Sequence, residues 1–244
     1  MPPTLVLVRH AQALHNIDKD RSIPDPDLSP LGFEQCVALR DHLKENLPQH
    51  PDVDLIIVSP MRRAIQTASV ALDWLIERGV KVHLDADWQE NSNKPCDTGT
   101  AISELKKEFP NFDFSSVDNV YPDKTSPAGR RYAHTKSAVL ARAQACLHNL
   151  YHRPEKMILI VSHSAFLRLA VSGTCFANAD YRIFEVSKPN EPHDTYKLRE
   201  WERTSMPGGG MGRSPKEPVE IGSGDLPLDL PQDSRETLGH SPEN

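Results

Sequence analysis

The sequence has 244 residues, of which 38% are hydrophobic and 25% are charged, and this composition is typical of a soluble globular protein with a sizeable core. Its formal net charge is −6, and residues 205–244 alone carry seven acidic and three basic residues. This balance excludes a strongly basic nucleic-acid-binding surface, and no apolar stretch approaches the roughly 20 residues of a membrane-spanning helix.

Short apolar runs with the composition of strands alternate along the chain with stretches whose apolar residues recur at helical spacing. The predicted strands are residues 4–8, 54–59, 80–84, 157–162, 181–186 and 196–201. The predicted helices are residues 30–46, 61–78, 102–108, 137–151 and 165–172. The last two strands are expected to form a hairpin at the edge of the sheet.

Two helix boundaries carry capping signals. Ser29 followed by Pro30 is the typical N-cap and first-turn pair, and it predicts the start of the first long helix. Gly79 stands where the second long helix needs a residue that tolerates a positive φ, so it predicts the end of that helix.

Continuous apolar strands that alternate with helices indicate a mostly parallel sheet covered on both faces. We therefore predict an α/β fold, a three-layer αβα sandwich with a mostly parallel central sheet, formed by residues 1–204. Residues 205–244 contain seven glycines and six prolines and few large apolar residues. Because such a segment buries little surface to offset its ordering entropy, we predict that it is a disordered tail.

Polar residues lie at the ends of three predicted strands. Arg9-His10 follows the first strand, Ser59 ends the second, and Ser162-His163 closes the fourth. Ligands bind at the carboxyl ends of parallel strands, so these groups are expected to meet in one crevice. Guanidinium groups match phosphate oxygens, and a neutral imidazole is a nucleophile near neutral pH. The pattern indicates phosphoryl-transfer chemistry.

Four segments resemble the signatures of the histidine phosphatase superfamily, which has a phosphoglycerate mutase-like fold. They are RHAQALHN (9–16), LSPLGFEQ (28–35), SPMRRAIQT (59–67) and VSHSAFLR (161–168). They match, in the family's order, the patterns R-H-G-E-x-x-x-N, L-[ST]-x-x-G-x-x-Q, S-P-x-x-R-A-x-Q-T and V-x-H-[GS]-x-x-x-R. The resemblance extends over nearly all of the predicted folded domain.

The resemblance implies a role for each matching residue. His10 would become a phosphohistidine, and the transferring phosphoryl group would be held by Arg9, Arg63, Asn16 and His163. Two further residues of the same motifs complete the predicted substrate-binding set, Gln12 and Ser164.

The general acid is left open between two carboxylates. The family supplies a glutamate after the third strand, where this chain has Glu90. Asp97, in the run Pro-Cys-Asp-Thr-Gly, is the competing candidate and is otherwise expected to bind substrate. Either side chain could protonate the leaving oxygen.

The run at residues 95–99 resembles a fungal-type broad phosphatase branch of the family, and residues 91–135 lack the long segment of the mutases. We predict a metal-independent phosphatase that hydrolyses a phosphomonoester. Two alternatives remain: a phosphoglycerate-type phosphomutase, and a catalytically silent module that binds a phospho-ligand.

The four cysteines are widely spaced, and no histidine pattern such as H-E-x-x-H is present, so neither a metal site nor a cofactor is predicted. The expected partner is a small phosphomonoester, with no nucleic acid and no membrane. The apolar run at the start is too short for a signal peptide, so we expect a cytoplasmic location, with the nucleus as a second one.

We expect turnover to be insensitive to chelators, because the predicted nucleophile is an imidazole and needs no metal-bound water. Phosphate release measured in excess EDTA should equal that without EDTA within about twofold. A loss of turnover that added divalent cations restore would refute this prediction.

Overall fold

The computed structural model describes residues 1–47, 53–189, 191, 194–224 and 226–229. The strands are β1 (Thr4–Arg9), β2 (Val53–Val58), β3 (Lys81–Leu84), β4 (Met157–Ser162), β5 (Tyr181–Ser187) and β6 (Lys197–Glu200). The α-helices are α1 (Leu14–Ile17), α2 (Pro30–Asn46), α3 (Arg62–Ala71), α4 (Asp73–Glu77), α5 (Ile102–Glu108), α6 (Lys136–Tyr151), α7 (Ser164–Phe166) and α8 (Glu202–Ser205). A π-helical turn, Leu167–Ser172, continues α7. No helix in these ranges has the length and apolar character required to cross a bilayer.

One six-stranded sheet forms the centre of the fold, in the order β3-β2-β4-β1-β5-β6. The strands β3, β2, β4 and β1 run parallel, and β5 and β6 are antiparallel to their neighbours. The predicted mostly parallel sheet and the predicted edge hairpin are both confirmed. The carboxyl ends of β1, β2 and β4 therefore meet at one edge of the sheet.

The two faces of the sheet are buried in separate apolar clusters. On β1, Val6 and Val8 belong to the cluster that includes Leu39 of α2. The alternate residues Leu5 and Leu7 belong to the other cluster, which α6 and α7 cover. Full burial of each such side chain contributes about 1.5–3 kcal/mol to the free energy of folding. The predicted three-layer αβα architecture is confirmed.

The start of α2 packs closely against the loop that follows β1. Ser29 caps the helix as predicted, since its hydroxyl accepts a hydrogen bond from the Gly32 amide at 3.0 Å. A Cβ atom on Gly32 would lie 2.0 Å from the carbonyl oxygen of Gln12. Only glycine allows this approach, and the helix thereby fixes the loop that carries His10.

The prediction of one continuous helix over residues 61–78 is wrong, because the structure has two helices there, α3 and α4. Leu72 leaves the helical conformation with φ −119° and ψ 12°. The carboxylate of Asp73 accepts a hydrogen bond from the amide of Trp74 at 2.6 Å, and such local bonds compete with helical ones. Gly79 follows α4 with φ +87°, as its predicted capping position requires.

The segment predicted to be disordered lies against the domain at its described residues, 205–224 and 226–229. The buried Asp180 carboxylate accepts hydrogen bonds from the amides of Met211 and Arg213 and from the hydroxyl of Ser214. A Cβ atom on Gly209 would lie 2.2 Å from that carboxylate. The segment is therefore held mainly through backbone amides, which composition does not reveal. Residues 225 and 230–244 lie outside the described residues.

We expect Asp180→Ala to lower the free energy of unfolding by about 3 kcal/mol, because several buried donors lose their shared acceptor. Urea denaturation measures the change. Asp54 is the matched control, since its exposed carboxylate also accepts a backbone hydrogen bond, from Lys156 at 2.7 Å. Asp54→Ala should cost less than about 1 kcal/mol, and equal losses in the two variants would contradict the prediction.

Candidate active site

His10 follows β1 directly, and its backbone amide donates to the carbonyl of Ser162 at 3.0 Å. The imidazole is 2% exposed. Its Nδ1 lies 2.7 Å from the carbonyl oxygen of Ala11, and a carbonyl only accepts, so Nδ1 carries the proton. The lone pair is consequently on Nε2, which accepts a hydrogen bond from Nε of Arg63 at 3.2 Å.

Arg63 lies in the first turn of α3 and is fully buried. Beyond His10, its guanidinium donates to the carbonyl of Cys96 at 2.7 Å and to the carboxylate of Asp97 at 3.3 Å. Asp25 lies 4.0 Å away. The guanidinium thus connects His10, α3 and the segment after β3.

Arg9 and His163 present unused polar atoms beside His10. Nη1 of Arg9 donates to the carbonyl of Phe176 at 2.8 Å, whereas its buried Nε has no partner among the described residues. The ring of His163 lies 5.1 Å from that of His10, and its Nε2 contacts the hydroxyl of Ser59 at 2.7 Å. Nδ1 of His163 is also buried, and it has no partner in the part of the chain that the structure describes. A bound oxyanion could satisfy these atoms.

Glu90 and Asp97, the two candidate acids, both line the cavity beside His10. The Glu90 carboxylate accepts hydrogen bonds from the amides of Asn91, Ala165 and Phe166 at 2.9–3.0 Å. The three donors fix its position near the start of α7. Asp97 instead pairs with Arg63, and its second oxygen accepts a hydrogen bond from the hydroxyl of Ser92 at 2.6 Å.

Asn16 and Ser164 also line the cavity, as predicted. Asn16 is held by Asn178, whose amide nitrogen donates to the carbonyl of His10 at 3.1 Å and to Oδ1 of Asn16 at 3.4 Å. Gln12 does not line the cavity. Its side-chain oxygen accepts a hydrogen bond from the hydroxyl of Ser29 at 2.7 Å, so the residue braces the start of α2 and its predicted substrate-binding role does not fit the structure.

The cavity has a volume of about 660 Å³ and leads from His10 to the surface. Its lining includes residues to which the sequence analysis assigned no role: His15, Lys19, Arg21, Lys94, His134, Arg168, Leu169, Asn178 and Leu226. Several come from loops whose only sequence signal is positive charge. Arg63 and His163 are not among the lining residues, because they are fully buried beside His10.

The site favours neutral imidazoles. Burial, together with the charges of Arg63 and Arg9, holds the pKa of His10 well below its ordinary value of 6.5. Burial and the charge of Arg63 likewise lower the pKa of His163 well below that value. The pKa of Arg9 falls only to about 10, mainly through burial, so its guanidinium stays charged at neutral pH. A charged guanidinium and a neutral imidazole therefore coexist in the site.

We expect His10 to remain neutral when the pH falls from 7 to about 5.5, because a lowered pKa delays protonation of the imidazole. Nitrogen-15 NMR of the imidazole rings measures this, with His10→Ala assigning the signal. A His10 imidazolium already dominant at about pH 6 would contradict the prediction.

Within the described ranges, no three or more His, Cys, Asp or Glu side chains form a group that could hold a metal ion.

Residues 5–190 match the histidine phosphatase superfamily (branch 1). A Schizosaccharomyces pombe protein named as a probable phosphatase is 32% identical over 174 residues, which cover 68% of this chain and 76% of that protein. A phosphoglycerate mutase-like protein of Arabidopsis thaliana is 32% identical over 198 residues, covering 67% of this chain and 72% of its own length.

Among solved structures, the ecdysone phosphate phosphatase from Bombix mori, in complex with tungstate, has the same fold. Its TM-score is 0.52 at 15% identity, and the match covers 93% of this chain and 98% of that one. The family match and the S. pombe relative, which is named as a probable phosphatase, support phosphatase activity. The motifs, the fold and the match to residues 5–190 identify the chain as a member of the histidine phosphatase superfamily.

Proposed function

We propose that the chain is a metal-independent phosphatase that hydrolyses phosphomonoesters through a phosphohistidine on His10. The observation that carries this proposal is the state of the His10 imidazole. Its Nδ1 proton is engaged by the carbonyl of Ala11, and the lone pair on Nε2 lies beside the buried guanidinium of Arg63. This arrangement supports nucleophilic attack on phosphorus.

In the first step, the lone pair of Nε2 forms a bond to phosphorus and the bond from phosphorus to the leaving oxygen breaks. Glu90 donates a proton to that oxygen. In the second step, Glu90 takes a proton from water as the water oxygen attacks phosphorus. The N–P bond then breaks, its electrons return to Nε2, and inorganic phosphate leaves.

Arg9, Arg63, His163 and Asn16 would hold the phosphoryl oxygens during both steps. Arg9 and His163 have buried nitrogens without partners in the described part of the chain, and these nitrogens are available to an incoming anion. Charge that develops on the equatorial oxygens is stabilised by such fixed donors. The cavity of about 660 Å³ has room for a small-molecule leaving group.

Glu90 is favoured over Asp97 as the acid. Asp97 is paired with the buried guanidinium of Arg63, and protonation of Asp97 would weaken that pair. Glu90 belongs to none of the ion pairs of the described residues, and its carboxylate is oriented by three amides. It can exchange a proton without breaking a buried ion pair.

We expect His10→Ala to reduce the release of phosphate from p-nitrophenyl phosphate in EDTA by at least about a thousandfold, because the nucleophile is removed. His148→Ala is the matched control, since His148 is exposed on α6 and does not line the cavity. Unchanged turnover in His10→Ala would refute the mechanism.

Some relatives are named as phosphoglycerate mutase-like, so the mutase alternative needs a test. The same assay separates it, and the silent binding module, from a hydrolase. A mutase would pass the phosphoryl group to a second hydroxyl of the substrate, and water would be a poor acceptor. A silent binding module would retain bound phosphate without turnover. Sustained release of inorganic phosphate by the wild-type protein supports the hydrolase over both.

A further inference from the structure

Lys124 lies in the loop between α5 and α6, and none of the sequence motifs includes it. The residue is 4% exposed. Its ammonium donates to three backbone carbonyls, those of Glu90 at 2.6 Å, Ser92 at 2.9 Å and Asp97 at 2.5 Å. An ammonium group has three N–H donors, so all three are used by one short segment.

The segment 90–97 carries both carboxylates of the site. Glu90 begins it and Asp97 ends it, and the Ser92 hydroxyl reaches back to Asp97 at 2.6 Å. Lys124 therefore joins the two ends of the segment to one nitrogen. None of the ion pairs of the described residues includes Lys124, so carbonyl dipoles replace the carboxylate that normally accompanies a buried ammonium.

We propose that Lys124 is a positioning residue, whose ammonium holds the segment 90–97 so that Glu90 faces the leaving oxygen. This inference rests on the proposed function, because it assigns Lys124 an effect on proton donation by Glu90. A buried cation with no carboxylate partner costs folding energy, and a Met side chain of similar length would avoid that cost. The ammonium, unlike Met, can donate to three carbonyls at once and so fix the segment 90–97.

The position of Lys124 makes the arrangement sensitive to pH. Arg142 of α6 and Arg63 of α3 repel the ammonium, whereas Asp97 and Glu90 attract it. Besides burial, the charge of Lys124 also lowers the pKa values of two histidines, His134 before α6 and His163 after β4. Burial, followed by the charge of Arg142, lowers the pKa of Lys124 to about 7.

The sign of the effect follows from the donors. Below about pH 7, Lys124 is an ammonium and satisfies all three carbonyls. As the pH rises above that value, the neutral amine keeps two N–H groups, and its lone pair faces the third carbonyl. The segment then loosens, and proton donation by Glu90 becomes less efficient.

The test compares Lys124→Met with Lys106→Met, whose lysine is exposed on α5 outside the cavity. Phenyl phosphate has a leaving group that needs a proton, whereas p-nitrophenolate leaves readily without one. We expect Lys124→Met to lower kcat/KM about thirtyfold for phenyl phosphate and less than about threefold for p-nitrophenyl phosphate. Lys106→Met should match the wild type for both substrates.

Glu90→Gln should give the same dependence on the leaving group. Adding Lys124→Met to it should change kcat/KM by less than about threefold, since both substitutions act on one proton transfer. For the wild type, the ratio of kcat/KM for phenyl phosphate to kcat/KM for p-nitrophenyl phosphate should fall above about pH 7. In Lys124→Met this ratio should not change with pH.

Equal losses for both substrates, or no loss for either, would overturn the proposal. Should Lys124→Met fail to fold in thermal melts, Lys124→Gln takes its place, because its amide still donates two hydrogen bonds. A wild-type ratio that is constant from about pH 6 to 9 would also overturn it. These outcomes are separate from failure of the proposed function, which is judged by His10→Ala.

Discussion

The buried guanidinium of Arg63 is the contact on which the site depends. It donates to Nε2 of His10, to the carbonyl of Cys96 and to the carboxylate of Asp97. A buried charge is costly unless polar groups surround it, so α3, the loop after β1 and the segment after β3 can occupy only mutually compatible positions. The position of the His10 imidazole is therefore set by the contacts of Arg63 as well as by the sheet.

The remaining architecture positions that network. Gly32 allows α2 to approach the loop after β1, and Asn178 ties the carbonyl of His10 to Asn16. Asp180, two residues further on, holds the C-terminal segment through its carboxylate and does not line the cavity. Lys124 gathers the carbonyls of the segment that carries Glu90. Most of these connections use backbone groups, and the bonds from Asn178 to the side chain of Asn16 and from the Ser214 hydroxyl to Asp180 are exceptions.

The features that could be predicted from sequence are those with a local cause. Apolar runs and helical spacing reveal the strands and helices, and Ser29 and Gly79 mark helix ends through capping chemistry. The four motifs locate His10, Arg63 and His163 because strand ends in a parallel sheet converge. The break at Leu72 escaped prediction, since it depends on one competing hydrogen bond of Asp73.

The features that sequence could not predict depend on partners far along the chain. Lys124 bonds to carbonyls, and every residue offers a carbonyl, so no pattern of residue types marks its partners. Asn178 and the C-terminal segment have the same character, because their bonds involve backbone atoms. For Gln12, the motif suggested a contact that the structure does not contain. Its motif position suggested contact with substrate, whereas its side-chain oxygen accepts a hydrogen bond from the hydroxyl of Ser29.

The strand that leads to His10, β1, precedes the other five strands of the sheet along the chain and lies in the interior of the sheet. Leu5 of β1 pairs with Ile158 of β4 and Phe184 of β5, so neither neighbour exists while the first half of the chain is being made. A nascent chain that ends before β4 thus contains His10 without the strands that seat it. Assembly of this sheet is non-local and slow compared with helix formation. The surroundings of His10 are consequently completed only after β4 and β5 have been synthesised.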